Sequence, residues 1–242
     1  MTKPKVGFVG RRGFLWWWIA SWFVPAMMTC AYVIFALTSG ADPSGWAWMS
    51  IGLAFVLVLW WMFRMLTRSA AMTRAIDVGD TERIREIDPS PLYAGIADEL
   101  DGKWADALRD VERVTSHKPR VRVLAATVRI GALVETGEVA KARTVLDDEL
   151  APALARLDPR MDAQAHLLGT LARGRVLAAE RANGEARKIL QKVIDDIRTG
   201  ATARAIAHHY AARAAAADGD HAAADRHRAQ AKQLAPGTWI AA

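Results

Sequence analysis

The histidines near the C-terminus are the first residues whose type and spacing could support chemistry. His208 and His209 are adjacent, and His221 and His227 follow on the next predicted helix. Imidazole nitrogens bind transition metals, but adjacent helical residues point about 100° apart, so His208 and His209 do not easily grip one ion. No acid or cysteine stands beside them at ligand spacing. The sequence therefore predicts no metal site and no cofactor, with one histidine in the core and the others in solvent.

Paired carboxylates are the second candidate, as a general acid and base. Asp147-Asp148 and Asp195-Asp196 are adjacent pairs late in predicted helices. Neighbouring side chains diverge on a helix, so these pairs suit a solvated surface better than a shared substrate. The sequence also lacks a Gly-rich phosphate loop and a Gly-x-Ser-x-Gly nucleophile turn. We therefore expect that the chain is not an enzyme.

Two apolar segments predict the first structural elements. Residues 14–66 contain one acid, Asp42, and one base, Arg64. About 20 apolar residues span a bilayer as a helix, because a helix satisfies its own backbone polar groups. We predict a transmembrane helical hairpin over these residues, with spans at about 14–37 and 46–66 and a short turn-rich loop between them.

Basic residues flank the predicted hairpin on both sides. Four precede the first span, and Arg64, Arg68 and Arg74 lie at the end of the second span or beyond it, while the connecting loop has none. The positive-inside rule then places the basic N-terminus, residues 1–13, and the C-terminal domain in the cytoplasm. This orientation, together with the Ala- and Arg-rich composition, predicts a multi-pass protein of a bacterial inner membrane. Residues 1–78 carry a net charge of +5 and the remainder +1, so the basic excess does not indicate a nucleic-acid partner.

Tryptophans mark the ends of both predicted spans. Their amphipathic rings favour the membrane–water interface. The predicted interface residues are Trp16, Trp17, Trp18, Trp46, Trp48, Trp60 and Trp61. Seven tryptophans exceed what anchoring needs, so contacts with partner helices or with a bound pigment or lipid are a second interpretation.

The N-terminus also resembles a twin-arginine export signal, because Arg11-Arg12 precedes Phe14-Leu15. The apolar segment is long and rich in tryptophan, no small-x-small cleavage site follows, and a second span returns the chain. These departures favour a retained anchor. Cys30 is not preceded by the small residues that are typical before a lipidated cysteine. Because it is the single cysteine of the sequence, an intramolecular disulfide is excluded.

A repeated pattern begins after the second span. The segment Gly102-Lys103-Trp104-Ala105-Asp106-Ala107-Leu108 recurs in outline from Gly137 and again from Gly219. Apolar residues recur at helical spacing and strand-like alternation is absent. We therefore predict a linker helix over 67–87 and a helical repeat domain over 88–242. Since one helix pair cannot bury its apolar face alone, the pairs should stack as an α-solenoid.

These units resemble the tetratricopeptide repeat (TPR), a helix–turn–helix motif of about 34 residues. The first unit matches at Gly95, Gly102, Trp104, Ala107 and Pro119, and the second at Gly137, Ala142 and Leu146. The third matches at Gly174, Leu177, Ala186, Leu190 and Val193 but has a shifted turn, and the fourth matches at Gly219, Ala224, Ala231 and Pro236. The resemblance implies an all-α chain with a TPR-like solenoid of about four helix pairs after the hairpin.

In this family the first helix of each pair lines an inner groove that binds protein partners. The resemblance assigns eight residues to that groove: Glu99, Thr127, Glu135, Leu168, Leu171, Arg175, His209 and Arg213. Arg175 and Arg213 could hold an acidic peptide or a chain-terminal carboxylate, although arginines are mostly ordinary surface residues.

Together these features predict a non-catalytic, membrane-anchored interaction protein. Its expected partners are integral membrane subunits at the hairpin, the lipid bilayer and a cytoplasmic protein at the repeats, with no nucleic acid. One form is an accessory subunit or assembly scaffold of a larger membrane complex, for example a respiratory or photosynthetic one. The alternative is a regulatory TPR protein that binds a peptide transiently at the cytoplasmic membrane face.

Overall fold

The computed structural model describes Cys30, Ile34 and residues 44–241. Most of the first predicted span, including Trp16–Trp18, and most of the connecting loop therefore lie outside the described residues. Within the described part, every regular element is a helix and no strand occurs, which confirms the predicted all-α class. The chain divides into two compact units, Met1–Arg68 and Ser69–Ala242.

The first helix, α1 (Ser44–Val78), contains the second predicted span. Its 35 residues extend roughly 52 Å at the usual helical rise. The part Phe55–Val78 is long and apolar enough to cross a membrane, a criterion that some soluble helices and signal sequences also meet. The helix ends at Gly79, whose φ of +76° is the left-handed geometry that glycine adopts readily after a helix.

The second unit continues with ten helices connected by short segments. They are α2 (Thr81–Ile87), α3 (Pro91–Leu100), α4 (Trp104–Glu112), α5 (Pro119–Glu135), α6 (Val139–Val145), α7 (Ala151–Leu154), α8 (Ala163–Ala179), α9 (Asn183–Asp195), α10 (Ala201–Ala217) and α11 (His221–Leu234). A π-helical turn, Leu146–Leu150, joins α6 to α7. The connection between α6 and α8 is therefore partly helical.

The helices of the second unit pack in chain order. Helix α3 contacts α4 and α5, α5 contacts α6 and α8, and α8 contacts α9 and α10, which in turn packs on α11. Alanines lie where paired helices cross, and they are fully buried: Ala107, Ala142, Ala186 and Ala224. A larger side chain at these positions would push the helices apart.

The turns within the helix pairs follow one geometry with one exception. Gly102, Gly137 and Gly219 have φ values of +74°, +82° and +81°. In the third pair the left-handed residue is Arg181, with φ of +62°, and Gly184 lies inside α9. The expectation of a left-handed glycine at every turn is therefore wrong for this pair, where a side chain bears a conformation that costs about 1–2 kcal/mol.

The C-terminal segment brings the end of the second unit back to its beginning. The Trp239 amide donates to the Leu100 carbonyl at 3.1 Å. The Thr202 hydroxyl, at the start of α10, donates to the Ile76 carbonyl at 2.6 Å. Direct hydrogen bonds thus join the C-terminal segment to the end of α3, and the start of α10 to the end of α1.

Candidate functional site

A cluster of charged side chains links four helices that are separated in the sequence, α3, α5, α8 and α10. We call it the inner cluster. It consists of Glu99 from α3, Glu135 from α5, Arg175 from α8, and Tyr210 and Arg213 from α10. Parallel stacking of these helices brings together residues that are far apart in the sequence.

The deepest contact in the inner cluster is the ion pair between Arg175 and Glu99. Arg175 Nη1 donates to Glu99 Oε1 at 2.6 Å, and the two side chains are 1% and 7% exposed. Gly131 on α5 leaves the space that the pair occupies, because a Cβ atom there would overlap both side chains. Removing one partner of such a buried pair is costly, since the other charge would stay buried and unpaired.

Tyr210 and Arg213 complete the inner cluster. The Tyr210 hydroxyl donates to Glu135, and Arg213 Nη1 donates to the same carboxylate at 2.8 Å. The guanidinium carbons of Arg175 and Arg213 lie 5.2 and 5.3 Å from the centre of the Tyr210 ring. At these distances both cations are attracted to the ring face.

Two guanidinium groups and two carboxylates balance the formal charge of the inner cluster. Burial raises the pKa of Glu99, with Arg175 acting against the shift and Glu135 adding to it. Burial also raises the pKa of Tyr210, so the phenol stays protonated and donates. Because these side chains bind each other, the inner cluster is better suited to holding four helices together than to transferring a proton to a substrate.

Four of the eight predicted groove residues are buried and do not line an exposed surface. They are Glu99, Thr127, Leu171 and Arg175. Leu171 lies in the core, and the Thr127 hydroxyl donates to the Val123 carbonyl of its own helix. The expectation that Arg175 is available to an acidic peptide is thereby corrected, since its carboxylate partner is Glu99 of the same chain.

The other four predicted groove residues are at least partly exposed. Glu135 and Arg213 pair with each other at the edge of the inner cluster. Leu168 lines a small recess with Val193 and Arg198, away from that cluster. His209 contacts the rings of Tyr210 and Trp239.

Trp239, in the C-terminal segment, is a site residue that sequence reasoning missed. Its ring lies edge-on to Trp104 and His209, with ring centres 5.0 and 4.7 Å away. His209 also touches Tyr210 of the inner cluster, at 5.3 Å between ring centres. Burial lowers the pKa of His209 to about 4, so the ring is neutral at pH 7. The sequence signal was one tryptophan in a short tail, which carries no periodicity.

His208 and His227 form a separate pair. His208 Nδ1 lies 2.8 Å from His227 Nδ1, so one nitrogen donates and the other accepts. Burial, with a contribution from His227, lowers the pKa of His208 to about 4. His221 is exposed. Among the described residues, no three potential ligands gather as a metal ion would require.

The predicted membrane-interface residues are described only in α1. Trp46 and Trp48 lie in this helix. Trp60 and Trp61 are more than half exposed, and the Arg64 guanidinium lies 5.4 Å from the centre of the Trp60 ring. This contact places a positive charge next to an aromatic ring at the end of the apolar run.

Comparisons with known proteins identify no relative of this chain. No family model, no curated protein and no solved structure matches the chain. Its function must therefore be argued from its own residues.

Proposed function

We propose that this chain is a non-catalytic, membrane-anchored protein-interaction module, acting as an accessory subunit or assembly scaffold of a larger membrane complex. A respiratory or photosynthetic complex is an example of the class. The observation that carries the proposal is the exposure of large apolar side chains around most of the circumference of α1 between Val56 and Leu66.

The exposed side chains of α1 do not form a single stripe. Val56, Leu57, Val58, Trp60, Trp61, Phe63, Met65 and Leu66 are each between 42 and 63% exposed. At about 100° per residue, these positions spread around most of the helix axis, and on the remaining side Phe55, Leu59 and Met62 are partly exposed. A helix that is apolar all round is stable when it is surrounded by lipid or by other apolar helices. This pattern supports a membrane span rather than a surface helix of a soluble domain.

The length and flanks of the apolar run agree with this proposal. Residues 45–63 carry no charge and would extend roughly 28 Å as a helix, close to the thickness of a bilayer core. Arg64, Arg68 and Arg74 follow on the same helix, which favours a cytoplasmic second unit. A first span at 14–37 would complete the proposed hairpin.

The second unit supplies the proposed interaction surface. Helix pairs that pack in order, alanines at their crossings and left-handed glycines at their turns support a TPR-like solenoid. The step from this fold to partner binding is an analogy. Because Arg175 and Arg213 are paired with carboxylates of the same chain, an acidic peptide would have to displace them. This favours a subunit or scaffold over a transient peptide receptor.

Fractionation of native membranes tests the proposal. The chain should stay with the membrane pellet through an alkaline wash and dissolve in mild detergent. Size separation should then show it moving with a larger assembly at a fixed ratio. Release by the alkaline wash would contradict the anchor. A detergent-soluble chain that always runs alone would contradict the role in a complex.

A further inference from the structure

We infer that the C-terminal segment Ala235–Ala241 is a clasp that closes the inner side of the repeats, and that the seat of Trp239 receives an aromatic side chain from an extended partner segment when the clasp is released. The inference rests on the proposed function, because it assumes a protein partner. It adds where that partner binds and what it presents.

The clasp crosses from the last helix pair to the first. It leaves α11 at Ala235, which is fully buried, and its Trp239 amide donates to the Leu100 carbonyl at the end of α3. Thr238 lies against Gly79, where a Cβ atom would come within 2.7 Å of the Thr238 methyl carbon. The segment therefore contacts both ends of the second unit.

The seat of Trp239 is formed mainly by Gly102, Trp104 and His209. A Cβ atom at Gly102 would lie 3.1 Å from the Trp239 Cβ, so the missing side chain in the turn between α3 and α4 leaves space for the tryptophan. Two rings then hold the indole edge-on, from α4 on one side and α10 on the other. Such edge-to-face contacts favour an aromatic occupant over an aliphatic one of similar size.

The fit of Trp239 in this seat is incomplete. Its indole Nε1 is buried and has no hydrogen-bond partner in the described part of the chain. A buried donor without an acceptor reduces the stability of the closed state. An incoming aromatic residue that lacks this donor, or that brings an acceptor for it, could therefore compete with the clasp.

The position of the clasp outside the regular helices favours its release from the rest of the second unit. The clasp is a short run of turns beyond the last helix, and Pro236 and Gly237 within it are exposed. Ala235, Thr238 and Ile240 hold the clasp through buried side chains, so its release would break these contacts, as a local opening that leaves the helices of the second unit formed. Removing Trp239 would uncover the ring of His209, which contacts Tyr210 of the inner cluster. The fitting partner is an extended segment with an aromatic residue between small or aliphatic neighbours, as in Thr238-Trp239-Ile240.

Competition by the clasp itself provides the test. The full chain and a variant ending at Leu234 would be purified in mild detergent and titrated with a fluorescently labelled peptide of residues 235–242. The peptide should bind the shortened variant saturably. It should bind the full chain at least about tenfold more weakly, because a tethered segment competes at an effective concentration in the millimolar range. A Trp239→Ala peptide should lose binding, whereas a Pro236→Ala peptide should retain it.

A full-length variant covers the case in which the shortened chain does not fold. Trp239→Ala should accelerate amide hydrogen exchange about tenfold in residues 100–104 and 209–213, relative to wild type. The exposed residue Gln233, changed to Ala, is the matched control and should leave these rates unchanged. Absence of both peptide binding and accelerated exchange would overturn the inference. Cross-linking of Trp239 to a second copy of the chain would also overturn it, since the segment would then join two molecules.

The failure of the clasp can be distinguished from the failure of the proposed function. If the peptide binds the shortened variant but the chain runs alone after extraction, the clasp is supported and the proposed function is contradicted. If the complex forms equally with and without residues 235–242 and the peptide does not bind, the proposed function is supported and the clasp is contradicted.

Discussion

The apolar part of α1 and the inner cluster reverse the usual distribution of side chains. In α1, large apolar residues such as Leu57 and Phe63 are exposed. In the second unit, Arg175 and Glu99 are almost completely buried. Exposed apolar surface favours a covering by lipid or by other apolar side chains. The buried charges of Arg175 and Glu99 pair with each other, although Arg175 Nε and Nη2 have no hydrogen-bond partner among the described residues. Burial alone therefore does not separate apolar from charged residues in this chain, and the two regions call for opposite tests.

The largest expected effect comes from removing the charge of Arg175. Arg175→Met would leave Glu99 buried without its partner, which should lower the free energy of unfolding by about 3–5 kcal/mol. Thermal unfolding of the purified chain in mild detergent measures this change. Arg173→Met is the matched control, because Arg173 is two residues away on α8 and its ion pair with Glu185 is exposed. Its expected cost is at most about 1 kcal/mol. Equal losses in the two variants would show that the buried pair has no special role.

A charge in the apolar part of α1 tests the other side of the comparison. Leu57→Lys should disfavour membrane insertion by about 2.5–3.5 kcal/mol, the usual cost of a lysine near the centre of a span. The measured quantity is the fraction of the chain that an alkaline wash releases from membranes, which should rise. Met161→Lys is the control, because Met161 is a highly exposed apolar residue of the second unit. If both variants behave as wild type does, lipid does not surround this part of α1.

A smaller effect is expected at Gly131. Gly131→Ala would place a methyl group on the Arg175–Glu99 pair, and overpacking of this kind costs about 1–3 kcal/mol. Gly184→Ala is the control, since nothing lies within 4 Å of the added carbon and alanine favours the helix. Chemical denaturation should show a lower midpoint for the first variant and an equal or higher one for the second. A stabilising Gly131→Ala would mean that the pair has more space than the structure assigns to it.

The smallest expected effect is a pH dependence from His208. Its pKa is about 4 in the folded chain, against an ordinary value of 6.5, because burial and His227 disfavour the charged ring. The unfolded chain therefore takes up the proton first as the pH falls, and stability should decrease from about pH 6.5 to about pH 4. Arg204 and Asp195 also act on this ring, in opposite directions.

The contribution of His208 can be isolated by substitution. His208→Gln should reduce the loss of thermal stability between pH 7 and pH 5, whereas His221→Gln, at an exposed position, should not. An identical pH dependence in both variants would assign the effect to other groups.

Local features of the fold were predictable from the sequence because they depend on nearby residues. Gly79 ends α1, and Gly102, Gly137 and Gly219 adopt the left-handed turns, as the pattern of glycines indicated. The buried alanines at the helix crossings follow from the same repeat. Arg181 was not predictable, because a glycine close by, Gly184, offered the more favourable residue for that turn.

The candidate site was only partly predictable, because its contacts are distant in the sequence. The TPR register assigned Glu99, Glu135, Arg175 and Arg213 to inner helices, and these residues do meet. Their mutual pairing joins helices that are far apart along the chain, and a charge pattern in one helix does not specify its partner in another. Gly131 was the available sign, since a glycine inside a helix often leaves space for another group. The tail carrying Trp239 has no repeat pattern, so its return to α3 could not be inferred.

The most direct test of the membrane anchor compares two positions that are both exposed in the structure. Leu57 and Met161 are 56 and 80% exposed. Each would be changed to Cys in a Cys30→Ala background and treated with a water-soluble maleimide in opened membranes, without detergent. We expect Met161→Cys to be labelled and Leu57→Cys to be protected until detergent removes the lipid. Equal labelling of the two cysteines before detergent is added would contradict this expectation.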